Sequence, residues 1–306
     1  MTTLDILIPY YGDASLMRAA VRSVLAQDDA RWRLTVVDDG GEDGVAEWFA
    51  GIDDDRVRYL RNEHNLGVTG NFNRCLELAE HELVVLLGCD DLLLPNYVRT
   101  VLGVHAEVPD AAVVQPGVVV IDGAGQPAHT LADTAKRKLY APRFTGRCEL
   151  TGQELAVSLL RGDWLYFPSL CWRADAIKGL RFRTDLGVIQ DLAFLLDMVC
   201  RDGKLVADDT VCFQYRRHLA SESSTTAVQG SRFVEAGEFF AQAAEQVARH
   251  GWPRAARVAR LHLSSRLFAL TMLPKAVRQP GQPAVRALTN HVFGTSRPAM
   301  PARAGR

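Results

Sequence analysis

Short apolar runs alternate with helical patterns over the first 120 residues of the chain. The runs have the length of β-strands and are apolar throughout, which is typical of strands buried on both faces of a sheet. The predicted strands are residues 4–8, 34–37, 57–60, 83–87 and 112–121. The predicted helices are residues 14–27, 44–51, 70–79 and 96–107. This alternation predicts an α/β fold with a mostly parallel, Rossmann-like sheet flanked by helices.

The second half of the chain has a less regular pattern. Residues 122–150 are rich in Gly and Pro and carry a basic cluster at 136–138, so we expect a surface excursion that serves as a lid or acceptor loop. From residue 231 the pattern is helical, and the composition after about residue 279 predicts a weakly ordered tail. The other predicted elements are helices at 151–160 and 191–201, an aromatic stretch at 164–172, a strand at 206–215 and a polar run at 218–226.

The composition narrows the class of protein. With 306 residues, 48% of them hydrophobic and 23% charged, the chain can bury a sizeable core, which excludes a disordered or fibrous protein. No apolar stretch has the length of a spanning helix, and the first residues lack the pattern of a signal peptide. Six scattered cysteines without a C-x-x-C pair favour reduced thiols over a zinc or redox site. We therefore expect a cytoplasmic protein.

Charge divides the chain into an acidic body and a basic end. Residues 246–306 contain eleven Lys or Arg and no acid, which leaves 24 basic and 36 acidic residues in the remainder. The basic helical pattern at 254–273 has three interpretations: it docks on the acidic body, it lies on an anionic membrane surface at the inner face, or it forms a homodimer contact. Nucleic-acid binding is not expected, because the basic residues lack interleaved aromatic residues.

Acidic pairs follow the predicted strands at their carboxyl ends. Asp38 and Asp39 follow one strand, Asp90 and Asp91 follow another, and Asp191 precedes a helix further on. Ligands of parallel sheets bind beyond these ends, and clustered carboxylates repel one another unless a cation neutralises them. Oxygen ligands suit Mg²⁺ or Mn²⁺, commonly shared with substrate phosphates. The pattern therefore predicts a metal-held nucleotide diphosphate. Neither a P-loop nor a G-x-G-x-x-G segment is present.

Seven segments in order resemble the family 2 glycosyltransferases, which have the GT-A fold. They are residues 7–11 (LIPYY), 23–27 (SVLAQ), 36–40 (VVDDG), 61–67 (RNEHNLG), 86–95 (LLGCDDLLLP), 190–191 (QD) and 215–218 (YRRH). The resemblance covers residues 4 to about 225. It implies a GT-A catalytic domain at 1–228, with a nucleotide-sugar half at 1–121 and an acceptor half at 122–228, followed by a basic helical region at 229–306.

The resemblance implies roles for particular residues. The implied nucleotide-sugar site comprises Pro9, Tyr10, Tyr11, Asp38, Asp39, Asn65, Gly67, Asn71, Asp90, Arg216 and Arg217. Asp38 and Asp39 would hold the base and ribose, with Pro9 and Tyr10 shaping that pocket. Asp90 and His218 would bind Mn²⁺ or Mg²⁺, with Asp91 as a further ligand or as a helix cap. One of Arg216 and Arg217 is expected to face away from the diphosphate.

The remaining implied roles concern the acceptor. Asp191 would be the catalytic base, and Gln190 would lie against the acceptor. Trp164 and Tyr166 have two interpretations, as core residues or as apolar faces of an acceptor pocket. The chain departs from the family at Gly88, where the first acid of the D-x-D segment is missing, and at Gln190, where the family has an acid. Asp91 can compensate for Gly88 only if the loop shifts.

The carboxylate pattern predicts a metal-dependent enzyme, and the resemblance implies an inverting hexosyltransferase. A divalent cation stabilises the charge on the leaving diphosphate, and a carboxylate takes the proton of the acceptor hydroxyl. The donor would be a nucleotide-diphosphate sugar, with UDP or dTDP favoured. The acceptor would be a hydroxyl of a glycan, lipid-linked saccharide or metabolite. The alternatives are a nucleotidyltransferase and an inactive sugar-nucleotide-binding or scaffold protein.

Overall fold

The computed structural model describes residues 2–128, 139–217, 231–278 and 282–294. The strands are β1 (Leu4–Tyr10), β2 (Trp32–Asp38), β3 (Val57–Arg61), β4 (Leu83–Leu86), β5 (Leu92–Leu93), β6 (Ala111–Ile121), β7 (Arg147–Leu150), β8 (Cys171–Arg173) and β9 (Lys204–Arg216). The first helices are α1 (Ala14–Leu25), α2 (Val45–Ala50), α3 (Gly67–Glu77) and α4 (Tyr97–Glu107). The later helices are α5 (Gly152–Arg161), α6 (Ala174–Ile177), α7 (Gln190–Val199), α8 (Ser231–Arg249), α9 (Pro253–Leu261), α10 (Leu263–Arg278) and α11 (Gln282–Phe293).

All of these strands join one sheet in the order β3-β2-β1-β4-β8-β6-β9-β5, and β7 pairs with β9. The pairs of β1 with β2, β1 with β4, β2 with β3 and β6 with β9 are parallel. The antiparallel strands are β5, β7 and β8. The central sheet is therefore mostly parallel, as the alternating pattern predicts. The short antiparallel strands were not predicted.

The register of the parallel strands brings their carboxyl ends to one edge. Tyr10 of β1 pairs with Asp38 of β2, and Leu7 pairs with Leu86 of β4. The turns that follow β2 and β4 begin at neighbouring points of this edge. The two acidic pairs consequently lie close together, as expected for a parallel sheet.

The C-terminal helices lie against the rest of the molecule. Phe239 and Val247 of α8 and Ala255 of α9 belong to the same buried cluster as the sheet residues Leu7 and Val84. The Arg254 guanidinium pairs with the carboxylate of Glu154 on α5. Of the basic pattern at 254–273, the part that forms α9 packs against the body of the molecule in this way. Helices α8 and α9 therefore share a buried core with the sheet.

The tail prediction was wrong for part of its range. Residues 282–293 form α11 instead of a weakly ordered segment, because its apolar residues pack against α8 and α10. Leu288 is fully buried in a small cluster with Phe233 and Ala269. Residues 295–306 and the basic cluster at 136–138 lie outside the described residues.

Two further observations concern the chain as a whole. Within its described part, no helix has both the length and the apolar character needed to cross a bilayer. All six cysteines are free thiols.

Candidate active site

A cleft of about 700 Å³ opens at the carboxyl ends of β1, β2 and β4. Its walls come from the loops after these strands, the start of α3, the loop before α7 and the end of β9. The lining residues are Pro9, Tyr11, Asp39, Asn65, Gly67, Val68, Asn71, Phe72, Gly88, Cys89, Asp90, Asp91, Pro168, Gly187, Val188, Tyr215 and Arg216. The sequence analysis assigned nine of them to the implied site and named a tenth, Gly88, as a departure from the family.

A second cavity of about 800 Å³ lies at the opposite edge of the sheet, beside the start of β4. Several of its charged residues pair with one another, as Glu77 does with Arg181 at 2.7 Å and Arg173 with Asp175 at 2.5 Å. Parallel sheets place their ligands at the carboxyl edge. We therefore take the first cleft as the candidate active site.

Asp38 and Asp39 have different surroundings: Asp38 is bonded within the turn after β2, and Asp39 lines the cleft. Asp38 is 0% exposed, and its Oδ1 accepts hydrogen bonds from the amides of Gly40 at 3.0 Å and Gly41 at 2.8 Å. Its Oδ2 accepts the Tyr59 hydroxyl at 2.5 Å. Burial and this hydrogen bond raise the pKa of Tyr59, so the phenol stays a donor. Asp38 therefore holds the turn after β2.

Asp39 is the carboxylate of this pair that lines the cleft. Its Oδ1 accepts the Asn62 side-chain amide at 2.8 Å and the Leu66 backbone amide at 2.8 Å. Its backbone carbonyl accepts the Asn65 side-chain amide at 2.9 Å. These donors fix the orientation of the carboxyl group. Asn62 and Tyr59 were not singled out in the sequence analysis, because their partners are identified only by the strand register.

Alternation at the end of β1 separates Pro9, Tyr10 and Tyr11, the three residues of this segment expected at the nucleotide-sugar site. Pro9 and Tyr11 line the cleft, and Tyr11 is 62% exposed. Tyr10 points to the other face, where its hydroxyl donates to the Gly12 carbonyl at 2.7 Å. Burial is the main cause that raises the pKa of Tyr10. Tyr10 is thus a core residue under the loop at Gly41, which corrects its expected place in the pocket.

The segment before α3 forms one wall of the cleft. The Asn65 side-chain oxygen accepts the Gly67 amide at 2.9 Å, and Gly67 has a φ of 71°, a conformation that favours glycine. Asn71 is buried on α3, and its side-chain amide donates to the Val37 carbonyl at 3.0 Å. The resemblance placed all three residues at the nucleotide sugar, and all three line the cleft.

The turn after β4 brings two carboxylates together over Gly88. A Cβ atom at Gly88 would lie 2.5 Å from Asp91 Oδ2 and 3.2 Å from Asp90 Oδ1. The Asp91 carboxylate therefore occupies the space that a side chain at position 88 would need. Asp91 Oδ1 accepts the Arg216 amide at 2.8 Å. Burial, and after it the charge of Asp90, hold the pKa of Asp91 well above its usual range.

The two arginines at the end of β9 differ in their surroundings. The Arg216 guanidinium donates to the carbonyls of Asp90 at 2.8 Å, Asp122 at 3.1 Å and Gly123 at 3.2 Å. This side chain therefore ties the turn after β4 to the end of β9 and is not oriented toward a diphosphate. The Arg217 guanidinium lies 5.2 Å from the ring centre of Tyr215, a residue that lines the cleft.

Asp191 is the second residue of α7, and Gln190 is the first. The Gln190 side-chain oxygen accepts the Thr69 hydroxyl at 2.8 Å, which links the starts of α3 and α7. Burial raises the pKa of Tyr215, and the charges of Asp91, Asp90 and Asp191 add to this shift. Asp191 therefore lies on the same side of the molecule as the other carboxylates. The cap position of α7 belongs to Ile189, so Asp191 is not the N-cap.

The aromatic residues expected at the acceptor are core residues. Trp164 is 6% exposed and Tyr166 is 7% exposed, and neither lines the cleft. The Trp164 indole donates to the Ser158 hydroxyl at 3.0 Å, and the Tyr166 ring lies 5.1 Å from the ring of Tyr215. Packing of these large rings explains the burial, and the acceptor assignment is corrected.

The turn after β4 can supply one or two protein ligands to a divalent cation, the carboxylates of Asp90 and Asp91. Among the residues that the structure describes, no three His, Cys, Asp or Glu side chains converge as a complete metal site. His218, the other expected ligand, lies outside the described residues. Two adjacent carboxylates, one of them buried, nevertheless form the oxygen donor set that Mg²⁺ or Mn²⁺ shares with substrate phosphates.

The segment that forms most of this cleft matches a known protein family. The model of Glycosyl transferase family 2 matches residues 5–166, more than half of the chain. The chain belongs to glycosyl transferase family 2. The match includes Asp39, Gly88 and Asp90, and it ends before Asp191. The family resemblance seen in the sequence is confirmed.

Relatives with sequence similarity include bacterial glycosyltransferases. An uncharacterised protein of Mycobacterium tuberculosis, MT1568, is 29% identical over 75% of this chain and 71% of its own length. The putative colanic acid biosynthesis glycosyl transferase WcaA of Escherichia coli is 25% identical over 66% of this chain and 67% of its own length. The E. coli UDP-Glc:α-D-GlcNAc-diphosphoundecaprenol β-1,3-glucosyltransferase WfgD is 31% identical over 30% of this chain and 37% of its own length.

Solved structures confirm the fold. Residues 1–349 of TarS from S. aureus, in complex with UDP-GlcNAc, match 95% of this chain and 82% of that chain, with a TM-score of 0.70 and 15% identity. The mannosyltransferase PcManGT of Pyrobaculum calidifontis, in complex with GDP-Man and Mn²⁺, matches 94% and 78%, with a TM-score of 0.59 and 16% identity. The expected GT-A glycosyltransferase fold is therefore correct.

Proposed function

We propose that the protein is a metal-dependent, inverting glycosyltransferase that moves a sugar from a UDP or dTDP sugar to a hydroxyl acceptor. The carrying observation is the convergence of Asp39, Asp90 and Asp91 in one cleft at the carboxyl edge of the sheet. Asp191 is the second residue of α7, and the loop before this helix forms another wall of that cleft. Family membership supports sugar transfer over the nucleotidyl transfer weighed as an alternative.

The nucleotide base would lie against Asp39, between Pro9, Tyr11 and the wall at Asn65. An ionised carboxylate accepts a hydrogen bond from the ring N–H of uracil or thymine. Asp39 Oδ1 already has two donors, and among the described residues no donor contacts Oδ2. We therefore assign the base contact to Asp39 and the support of its loop to Asp38.

The diphosphate would lie over the turn at Gly88. Asp90 would hold Mn²⁺ or Mg²⁺, with Asp91 beside it, and the bound cation would stabilise negative charge on the leaving diphosphate. Arg216 holds this turn by its carbonyl contacts, and Arg217 is the candidate that contacts phosphate. The compact turn lets Asp91 supply the second carboxylate that Gly88 lacks.

The acceptor hydroxyl would lose its proton to Asp191. The hydroxyl oxygen would attack the anomeric carbon from the side opposite the diphosphate, forming one C–O bond as the other breaks. A single base suffices for such a displacement, which inverts the anomeric centre. Gln190 is held by Thr69 at the same rim and is the candidate acceptor contact.

A lipid-linked saccharide is the acceptor class that the relatives favour. WfgD is named for transfer to a diphosphoundecaprenol-linked sugar, and WcaA for colanic acid biosynthesis. An acceptor of this kind would bring the protein to the inner face of the membrane, as a peripheral partner.

The direct test measures nucleotide release by the full-length chain. The protein is incubated with UDP-glucose, UDP-GlcNAc, dTDP-glucose and GDP-mannose, each with Mn²⁺, with Mg²⁺ and with EDTA. Metal-dependent release of UDP or dTDP, accelerated by a lipid-linked acceptor, is expected. Binding of a nucleotide sugar without release under any condition would instead support the inactive binding protein.

A further inference from the structure

Helix α8, in the C-terminal region, reaches the loop that forms one wall of the cleft. The Glu235 Oε1 accepts the backbone amides of Val188 and Ile189, both at 2.8 Å. Its Oε2 accepts the amide of Gly187 at 3.0 Å. One side chain thus binds three consecutive amides of a segment 46 to 48 residues earlier in the chain.

These three amides lead directly into α7. The N-cap residue of α7 is Ile189, whose side chain makes no capping hydrogen bond. A carboxylate at this place satisfies amides that have no partner within the helix and lies favourably at the positive end of the helix dipole. Glu235 therefore holds, from a distant helix, the N-cap amide of α7 and the two amides before it, whereas the Leu192 amide is held locally by the Asp191 carboxylate at 2.9 Å.

The loop held by Glu235 belongs to the candidate active site. Gly187 and Val188 line the cleft beside Asp90, and Asp191 follows two residues after Ile189. Arg232 lies one turn before Glu235 on α8, and burial lowers its pKa, while the charges of Asp191 and Glu235 oppose that shift. The same face of α8 is therefore close to the base candidate as well.

We propose that Glu235 is a positioning residue that sets the place of Asp191 by holding the loop 187–189. This rests on the proposed function in so far as Asp191 is the base. Helix α8 of the C-terminal region is then part of the catalytic unit. The sequence of α8 alone does not reveal this role of Glu235, because its neighbours in the sequence do not distinguish it from other acidic residues on a helix.

The test compares Glu235→Ala with Gln246→Ala. Gln246 also lies on α8 and donates to Asp197 of α7 at 2.7 Å, but it does not contact the loop. Both variants remove a hydrogen bond between α8 and the segment 187–199, so a merely structural role affects both alike. Glu235→Gln is the conservative variant, because its carbonyl oxygen can still accept the amides of Val188 and Ile189.

Two readouts separate the loop from the chemistry. Hydrogen exchange of the amides of residues 187–189 should become faster in Glu235→Ala and remain unchanged in Gln246→Ala. The turnover number should fall at least about tenfold in Glu235→Ala, since small displacements of a catalytic group cost up to about 100-fold. The dissociation constant of UDP should change by less than about threefold, and Glu235→Gln should recover part of the turnover.

Each outcome bears on one claim. Unchanged exchange at 187–189 in Glu235→Ala would overturn the capping role. Faster exchange with turnover equal to that of Gln246→Ala would overturn the positioning role. If the wild-type protein releases no nucleotide from any donor, the proposed function fails, and the exchange experiment still decides whether Glu235 caps the loop.

Discussion

Adding one methyl group at Gly88 should disturb the carboxylate turn. In Gly88→Ala the new Cβ would lie 2.5 Å from Asp91 Oδ2, far inside a normal contact. Asp91 is buried, and moving its carboxylate would break the 2.8 Å hydrogen bond from the Arg216 amide. Leaving a buried donor such as the Arg216 amide without its partner costs about 1–3 kcal/mol, and we expect the free energy of unfolding to fall by about that amount.

Urea unfolding measures the stability of the variant. A separate titration of the folded protein with UDP in the presence of Mn²⁺ measures binding. The matched control is Gly103→Ala on α4, where a Cβ has no neighbour within 4 Å. That change should be neutral or stabilising, because alanine favours helices by up to about 1 kcal/mol over glycine. Gly88→Ala should also weaken UDP binding in Mn²⁺. A Gly88→Ala protein with wild-type stability and wild-type binding would refute the view that Asp91 fills the space over Gly88.

Three other changes test separate residues. Asp191→Asn should lower turnover about 10²–10⁴-fold with nearly unchanged donor affinity, and near wild-type turnover would limit Asp191 to a structural role at the start of α7. Asp39→Ala should weaken UDP binding by about 1.5–3 kcal/mol in calorimetry, whereas Asp38→Ala should chiefly lower the unfolding midpoint; the reverse result would exchange their roles. Burial lowers the pKa of His105 to about 4. Below pH 6.5 the unfolded chain therefore binds more protons than the folded protein. The free energy of unfolding should fall by roughly 3 kcal/mol as the pH is lowered from above 6.5 toward 4. Urea unfolding of His105→Leu should show a shallower loss of stability over this range than the wild type, and an equal loss would contradict this reasoning.

The sequence was sufficient to predict the parts of the fold that depend on local pattern. Strands such as β1 and β6 are long apolar runs, and each parallel strand delivers its following residues to the same edge. The positions of Asp39 and Asp90 in one cleft could therefore be predicted. The different roles of Asp38 and Asp39 could not be predicted, because the role of Asp38 depends on its hydrogen bond with Tyr59 of the neighbouring strand β3.

The parts that could not be predicted depend on contacts between distant segments. Strands β5 and β8 have two and three residues, and they become strands only because a partner strand lies beside them. Trp164 and Tyr166 have the same sequence signature whether they line a pocket or fill a core. Glu235 acts on a loop more than 40 residues away, so no spacing in the sequence reveals it.

The most direct measurement is the binding of UDP to the 306-residue chain by calorimetry, with Mn²⁺ and with EDTA, in the wild type and in Asp90→Ala. We expect Mn²⁺ to tighten UDP binding to the wild type. Asp90→Ala should lose this dependence while keeping an unliganded unfolding midpoint close to that of the wild type, because Asp90 is partly exposed in the cleft. Undiminished Mn²⁺ dependence in Asp90→Ala, or no UDP binding to the wild type, would contradict the proposed site.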